Sequence, residues 1–537
     1  MNTETPNPYV EKNGKKVTIT PAGWKKLETL VTDTKGQVYV FTKDISPVIA
    51  AAAMARLSRR AGDMRLTIMD EFAHVEDDSA ADKLIERVVT GYGDDSVQQL
   101  ITIQFVVEEA SNLLTKLLEW GRFGSYLEQS TRYIYFDEKG SDGKYLYYTP
   151  NLPAKLTTEY NQTMDTIFDE YSSMVHAITD HLRTKYPEPE DKKERAAWIN
   201  STRATACDAV RCILPAATKS TVGIVGSTQA VESLILHLLS EPLEEAQLTG
   251  QAILREARKI VPSFLKRADM PERGGAIAAY RAGNREKMRQ LAASHLKPNK
   301  DMKPGAQLVS HWPESELDLV AEVLFESSDL SLSEIKKQVA TWSDTKKEEV
   351  YRAYAGTRLN RRHRPGRAFE KSHFEWEIIG DYGTFRDLQR HRVVDAFEWQ
   401  RLHPYFGYEV PELIKEAGFE DRIHKCFALS KKLYDVLIKE GYEVEAQYVT
   451  LFGHRMRYRF LTNLREAFHF IELRTGPDGH PGYRKICNQM YNLFAEKYPI
   501  AANIMSFVNQ RENPELTRQA AELATQYKLE KLGALED

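Results

Sequence analysis

The chain has 537 residues, more than one hydrophobic core ordinarily serves, so roughly two to four domains are expected. Hydrophobic residues make up 42% and charged residues 28%, which excludes collagen-like, wholly disordered and disulfide-scaffold classes. With 73 Lys and Arg against 77 Asp and Glu the formal charge is −4, too near neutral for a bulk polyanion binder.

The four cysteines, Cys207, Cys212, Cys426 and Cys487, form no C-x-x-C pair, so zinc-ribbon and thioredoxin-like readings fall and a reduced, cytoplasmic protein is expected. The N-terminus is polar from its first residues and has no apolar signal core. No run of 18 apolar residues occurs, so no membrane span is expected.

Within 1–44 the runs KVTIT and QVYVFT read as short strands. Residues 46–70 read as helical, with Ser46 and Pro47 as N-cap and first-turn residues. LITIQFVV within 96–110 reads as strand, and a Gly-containing loop follows it. Long helical patterns fill 155–185, 192–213, 227–239 and 243–269. The mixed stretch 268–312 reads as a connector, and GRAFEKSHFEWEI restores the strand period. From 421 to 530 the chain is again mostly helical in pattern. Each side of the connector runs helix, β-segment, Arg-containing turn, long helices, an order that suggests an old duplication.

Four segments carry chemistry. In GSYLEQSTRY an extended backbone would set Glu128, Ser130 and Arg132 on one side. That trio suits a nucleotide, with Arg for phosphate and Glu and Ser for sugar or base; the bland alternative is a solvated strand edge. Gln389-Arg390-His391-Arg392 is a compact cationic turn, suited to a phosphate or to solvent. Arg358 to Arg367 packs five arginines and no acid around a Pro365-Gly366 turn. It reads as a phosphate site, for a cofactor or RNA, or as a surface or oligomer loop. The run from Asn463 to Arg474 reads as a helix on which those two residues fall about 20° apart, either a ligand stripe or a dipole-favoured C-terminal Arg. No dinucleotide glycine motif after a strand, P-loop, HExxH or GxSxG is present.

Together these segments resemble the flavin-dependent thymidylate synthase family, whose hallmark is an RHR turn followed by a segment like S-x-x-E/Q-x-S-x-R-Y. The first half keeps GSYLEQSTRY but reads Trp120-Gly121-Arg122 at the turn, whereas the second keeps Arg390-His391-Arg392 and only Glu398 of the rest. The family's Arg before Leu-Pro is matched by Arg211; the second half has Gln447 there. Its N-x-R…H/N…L-x-R helix is matched by Asn463, Arg465, His469 and Arg474, and its H-x-S/T-x-x-E-H loop weakly by Ser96, with Gln98 or Gln99 at the Glu, and by Arg367 and Glu370. Arg56 and Ser58 resemble an early A-R-x-S.

The resemblance implies an α+β fold of two tandem domains, each a small β-sheet with long helices. The expected boundaries are 1–44 for an extension with short strands, 45–270 for the first domain, 271–314 for the connector and 315–537 for the second domain. It implies synthesis of dTMP from dUMP, with methylenetetrahydrofolate as carbon donor, NADPH as reductant and FAD as cofactor. Neither half keeps a full site, so the implied site is composite. Glu128, Gln129, Ser130, Arg132, Arg211 and Arg390 would hold dUMP, and Arg474 would contact the uracil as the catalytic residue. Ser96, Arg367, Glu370, Arg390, His391, Arg392, Asn463, Arg465 and His469 would hold FAD, and no metal is implied. A homodimer imitating the family's tetramer is expected. Two rivals stand beside this reading. One is a catalytically dead flavin- or nucleotide-binding paralogue. The other is an RNA-binding protein using Arg358 to Arg367, with only Tyr351 and Tyr354 near that loop for stacking.

Overall fold

The computed structural model describes residues 7–14, 16–57, 60, 62–74, 79–91, 93, 95–297, 302–511 and 517–531; Ser58 lies outside them. Helices and small antiparallel sheets make an α+β fold. The strands are β1 (Val10–Asn13), β2 (Lys16–Ile19), β3 (Thr102–Ser111), β4 (Ser125–Glu128), β5 (Lys219–Ser227), β6 (Gly305–Trp312), β7 (His373–Asp381), β8 (Asp395–Trp399) and β9 (Arg455–Thr462). β1 pairs with β2; the larger sheets run β3-β5-β4 and β6-β7-β9-β8. Without edge strand β6, the last has the order of the first, element for element, and the repeat is therefore visible in topology.

Contacts divide the chain into two compact units: 1–108, 117–127 and 222–297 form one, and 109–116, 128–221 and 298–537 the other. The second unit thus takes residues from both sides of the expected connector. Its core is aromatic, with Tyr160, Tyr171, Trp376, Phe385, Tyr458 and Phe460 all buried. The helix Ala154–Lys185 buries Tyr160, Met164, Ile167, Tyr171, Met174 and Ile178, a stripe at helical spacing worth roughly 1.5–3 kcal/mol per large apolar side chain.

Several local expectations meet the structure directly. Ser46 caps the helix Pro47–Ala55, accepting from Val48 N at 3.2 Å. That helix stops at Ala55 and a separate one, Met64–Glu71, follows. KVTIT supplies β2, whereas QVYVFT makes only a single bridge, Val31 to Phe41. The fourth long helical pattern ends at Ala257 rather than at 269. The stretch 271–314 contains the helix Gly274–His295 and β6. No helix among the described residues is long and apolar enough to cross a membrane.

Within the second unit the two copies meet by reciprocal backbone bonds. Ala216 N donates to Thr450 O (2.8 Å) while Phe452 N donates to Leu214 O (2.9 Å). One step out, Ala217 N donates to Tyr448 O (2.9 Å) and Gly453 N to Cys212 O (2.8 Å), with a Pro215–Leu451 bridge at the centre. Aligning Leu214-Pro215-Ala216 with Thr450-Leu451-Phe452 makes each bond the mirror of the other, the signature of an isologous, two-fold contact. Inside each copy the same alignment matches Asn112 N to Thr218 O (2.9 Å) with Tyr382 N to His454 O (3.0 Å).

Gly453 tests this junction. A Cβ there would lie 2.7 Å from Phe427 Cζ and 3.0 Å from Cys212 O, the acceptor of its own N–H. Gly453→Ala is expected to cost about 1–3 kcal/mol by overpacking, seen as a lower denaturation midpoint. An unchanged midpoint would show that the junction tolerates a shift.

Candidate active site

The site is built around one carboxylate. β4 ends at Glu128, whose side chain is 0% exposed. Arg386 Nη2 donates to its Oε1 (2.8 Å), and Arg390 Nη2 (2.6 Å) and Lys116 Nζ (3.1 Å) to its Oε2. Arg386 and Arg390 are four residues apart on the helix Tyr382–Leu388 and the turn it enters, so they lie on one face. Lys116 holds the matching place on the helix Asn112–Leu118 of the first copy. Burial would raise the pKa of Glu128, but Arg386, Lys116 and Arg390 outweigh it and hold the carboxyl well below its usual range.

Two further ion pairs flank this hub. Arg132 makes a fork with Asp208, Nε to Oδ1 and Nη2 to Oδ2, both 2.8 Å. Its Nη1 also donates to the Tyr483 hydroxyl at 3.3 Å. Asp208 is buried, yet the Arg132 charge brings its pKa down to about 2. Arg211 Nη2 donates to Asp387 Oδ2 at 3.0 Å, and Arg211, Arg132, Arg390 and Arg474 together hold the buried Asp387 well below the carboxylate range. His480 Nε2 lies 3.2 Å from Asp208 O, and burial followed by the Arg211 charge lowers its pKa to about 4. The guanidinium carbons of Arg132 and Arg474 both lie over the Tyr483 ring, at 5.8 and 5.3 Å from its centroid.

The helix Leu464–Arg474 brings the remaining groups. Asn463 is its N-cap and accepts from Glu466 N at 2.8 Å. His391 lies between two of its residues, with Nδ1 3.1 Å from Glu466 Oε1 and Nε2 accepting from Arg474 Nε at 2.9 Å. Burial, then Arg474, pushes the His391 pKa down, so the imidazole is neutral. Burial raises Glu466 to about 7 against the opposing charges of Arg364 and Arg465. His469 is lowered to about 4 by burial and then by Arg364, Arg361 and Arg474. His391, Glu466 and His469 each place one ligand atom within 4.8 Å of the others. The surrounding guanidinium groups make this a poor place for a cation and a good one for an anion.

The predicted residues sort clearly. Glu128, Arg132, Arg211, Arg390, His391, Asn463, Arg465, His469 and Arg474 all belong to the second unit, where the contacts above link most of them. The EQSTR segment does not meet the condition of an extended backbone: β4 stops at Glu128, and Ser130 Oγ accepts from Arg132 N (3.2 Å) where the chain turns. Gln129 is exposed and bonds through its backbone to Thr221 O. Arg392 is exposed after the turn. Arg367 and Glu370 pair with each other on the surface, and Arg465 reaches both Pro365 O (2.8 Å) and Glu370 (3.4 Å). Ser96 belongs to the first unit, on the turn Asp95–Gln99. The Arg358–Arg367 run is less free than its composition suggests. Arg358 is buried in a fork with Glu472 and lies over Phe468 and Phe507. Arg364 lies 4.0 Å from Glu466.

Sequence reasoning passed over Lys116, Asp208, Arg386, Asp387, Glu466 and Tyr483. Arg386 was findable as the residue one helical turn before Arg390. The carboxylates were not, since nothing local marks an acid that folds against a distant Arg.

A family model described as thymidylate synthase complementing protein matches residues 40–263 and 307–500. The chain belongs to this family. Membership supports a flavin-dependent thymidylate synthase-like enzyme, and two separate matches are consistent with a tandem duplication. The chain is also similar to proteins named only UPF0159 protein. One, from Chlamydia pneumoniae, is 30% identical over 523 residues, spanning 91% of this chain and 97% of that one. Another, from Thermoplasma acidophilum, is 29% identical over 499 residues, spanning 88% and 97%.

Two outcomes follow from the charges. Glu128→Ala strands Lys116 and Arg386 in a buried place and should cost about 3–5 kcal/mol in chemical denaturation; a loss below about 1 kcal/mol would mean water reaches the hub. Glu466, with an ordinary value of 4.5 and a folded value of about 7, binds a proton in the folded state that the unfolded chain has released. Stability therefore falls as pH rises from 4.5 through 7. Glu466→Gln removes that slope, so its gain in Tm over the unaltered chain should be larger at pH 8 than at pH 5.

Proposed function

We propose that the chain is a flavin-dependent thymidylate synthase that makes dTMP from dUMP, with methylenetetrahydrofolate as carbon donor, NADPH as reductant and FAD as cofactor. Its site is composite, drawn from both copies within one chain. The observation that carries this reading is the convergence in one compact unit of Glu128, Arg132 and Arg211 from the first copy with Arg386, Arg390, His391 and Arg474 from the second. Each copy lacks what the other supplies.

The charge pattern supports a phosphate ester as substrate. Six fixed cations, Lys116, Arg132, Arg211, Arg386, Arg390 and Arg474, stand against Glu128, Asp208 and Asp387. A dianionic phosphate would take up most of that excess, and arginines bind it with paired bonds. Arg474 has no carboxylate within ion-pair distance among the described residues, leaving it to stabilise charge that develops on a pyrimidine carbonyl.

The residues also fit FAD. Arg361, Arg364 and Arg465, whose charges act on His469 or Glu466, offer guanidinium groups for a pyrophosphate, and Arg390, His391, Arg392, Asn463 and His469 would join them. The buried Gln389 Oε1 and Glu466 Oε2 have no hydrogen-bond partner, as a site awaiting a polar ligand would show. When bound, the flavin supplies the hydride-transfer chemistry, and the protein contributes binding and electrostatics. A cysteine nucleophile does not suit this site. All four thiols are buried, and burial raises Cys212, and Cys426 and Cys487 to about 12. Among the described residues no base is hydrogen-bonded to Ser130; its hydroxyl accepts from the Arg132 backbone. The reading includes a homodimer that repeats the family's four-module assembly.

One observation favours a second reading, a binding protein without turnover: Asp208 already saturates one edge of Arg132. The visible absorption spectrum separates the two. A flavin band that shifts on adding dUMP, followed by dTMP formation when NADPH and methylenetetrahydrofolate are present, is expected. A band that shifts with no turnover selects the binding protein. A protein that stays colourless after incubation with FAD overturns both.

Composite sites within one chain have a further consequence. Arg132→Ala and Arg474→Ala are each expected to lower kcat/KM about a hundredfold or more. Mixing the two purified variants should not restore activity, because every site would still lack one arginine. Recovery toward a quarter or more of the original rate would place the two arginines on different chains.

A further inference from the structure

We infer that Glu466 is a positioning residue: it holds the proton of His391 on Nδ1, so that Nε2 is left as an acceptor that orients the Arg474 guanidinium. The three groups form a continuous line, Glu466 Oε1 to His391 Nδ1 (3.1 Å) and His391 Nε2 to Arg474 Nε (2.9 Å). Arg474 Nε carries a hydrogen and can only donate, so Nε2 must accept. A neutral imidazole that accepts at Nε2 must carry its proton at Nδ1, and only an acceptor there keeps it. Glu466 is that acceptor. An Arg at one end and a carboxylate at the other therefore fix one tautomer of a buried ring.

The ring is locked as well as polarised. His391 and Glu466 are both almost fully buried, and Phe470 packs on the imidazole with centroids 4.1 Å apart. The charged and titratable groups that face Glu466 among the described residues are Arg364 from the loop before β7, at 4.0 Å; Arg465 and His469 from its own helix; and His391 from the turn. Arg361 and Arg474 add to the field at His469. None of these cations makes a hydrogen bond to Glu466, and its Oε2 has no hydrogen-bond partner, with Arg364 Nη1 4.0 Å away. Among the described residues His391 is thus the hydrogen-bond partner of the carboxylate, with Arg364 acting on it through charge. This is the logic by which a second group orients a histidine in metal sites and hydrolases, applied here to an arginine.

The place of Arg474 matters because its guanidinium carbon also stands over the Tyr483 ring shared with Arg132. Rotation about its terminal bonds would swing the free edge of the fork away from that position. The catalytic consequence rests on the reading of Arg474 as the pyrimidine contact; the tautomer does not.

The test reads both separately. Long-range proton–nitrogen NMR of the full chain labelled at histidine, with His391 assigned through His391→Gln, reports which ring nitrogen carries the proton. At pH 8.5 the unaltered chain should show the Nδ1–H form. Glu466→Gln, whose amide oxygen still accepts, should keep it. Glu466→Leu should move the ring toward a mixture of forms. In turnover assays at saturating FAD, Glu466→Gln should stay within about threefold of the original kcat/KM for dUMP, whereas Glu466→Leu should lose about tenfold to a hundredfold. An Nε2–H form in the unaltered chain, or identical nitrogen shifts in Glu466→Leu, overturns the inference. A protein that shows the expected tautomers but makes no dTMP overturns the synthase reading and leaves the relay standing.

Discussion

Everything in the site depends on the reciprocal backbone bonds that join 212–217 to 448–453. They are made by main-chain groups, so they fix distance and direction without regard to which side chains each copy carries. Once Pro215 and Leu451 face each other, the end of β4 from one copy is brought to the Arg386 helix of the other, and a buried carboxylate finds its cations. The energetic logic runs in the same direction. Glu128 would be intolerable in a dry place alone, and two of its three partners come from the other copy. The pairing of copies and the charge balance of the site are therefore one requirement.

The two copies have used this frame in opposite ways. Glu128 and Glu398 occupy matching positions, yet one is sealed among three cations while the other lies on the surface and pairs with Arg459 at 2.7 Å. Arg211 reaches Asp387; its counterpart Gln447 accepts from Leu402 N and donates to Val444 O, both backbone groups. At the RHR position of the first copy, Trp120 stacks on His237 with centroids 4.3 Å apart. That is packing, and burial has brought His237 down to about 3, a neutral ring with no charge to offer.

Much of this was legible in the amino-acid order, and the limit is physical. The helix start at Ser46 and Pro47 was readable because its signal is local, satisfying an N–H group within one turn. The composite distribution of Arg132, Arg211, Arg390 and Arg474 was readable because two copies can be laid side by side. The extended backbone that would align Glu128, Ser130 and Arg132 ends at Glu128, because a single hydroxyl, Ser130, takes the backbone N–H of Arg132. The burial of Arg358 could not be read from its loop because its counter-ion, Glu472, lies more than a hundred residues away. Long-range ion pairs leave no periodicity to detect, and the acids Asp208, Asp387 and Glu466 were missed for that reason.

The isologous junction at Pro215 and Leu451 also changes how such a protein meets dilution. Two separate chains joined by this contact would part as their concentration fell, and each site would fail with them. Covalently tethered, the copies meet as a first-order event whose equilibrium is indifferent to how much protein the cell makes. Fusion also releases a genetic constraint. In a dimer of identical chains every substitution appears on both sides of the axis. Here Trp120 and Arg390 descend from one position and answer to different selection.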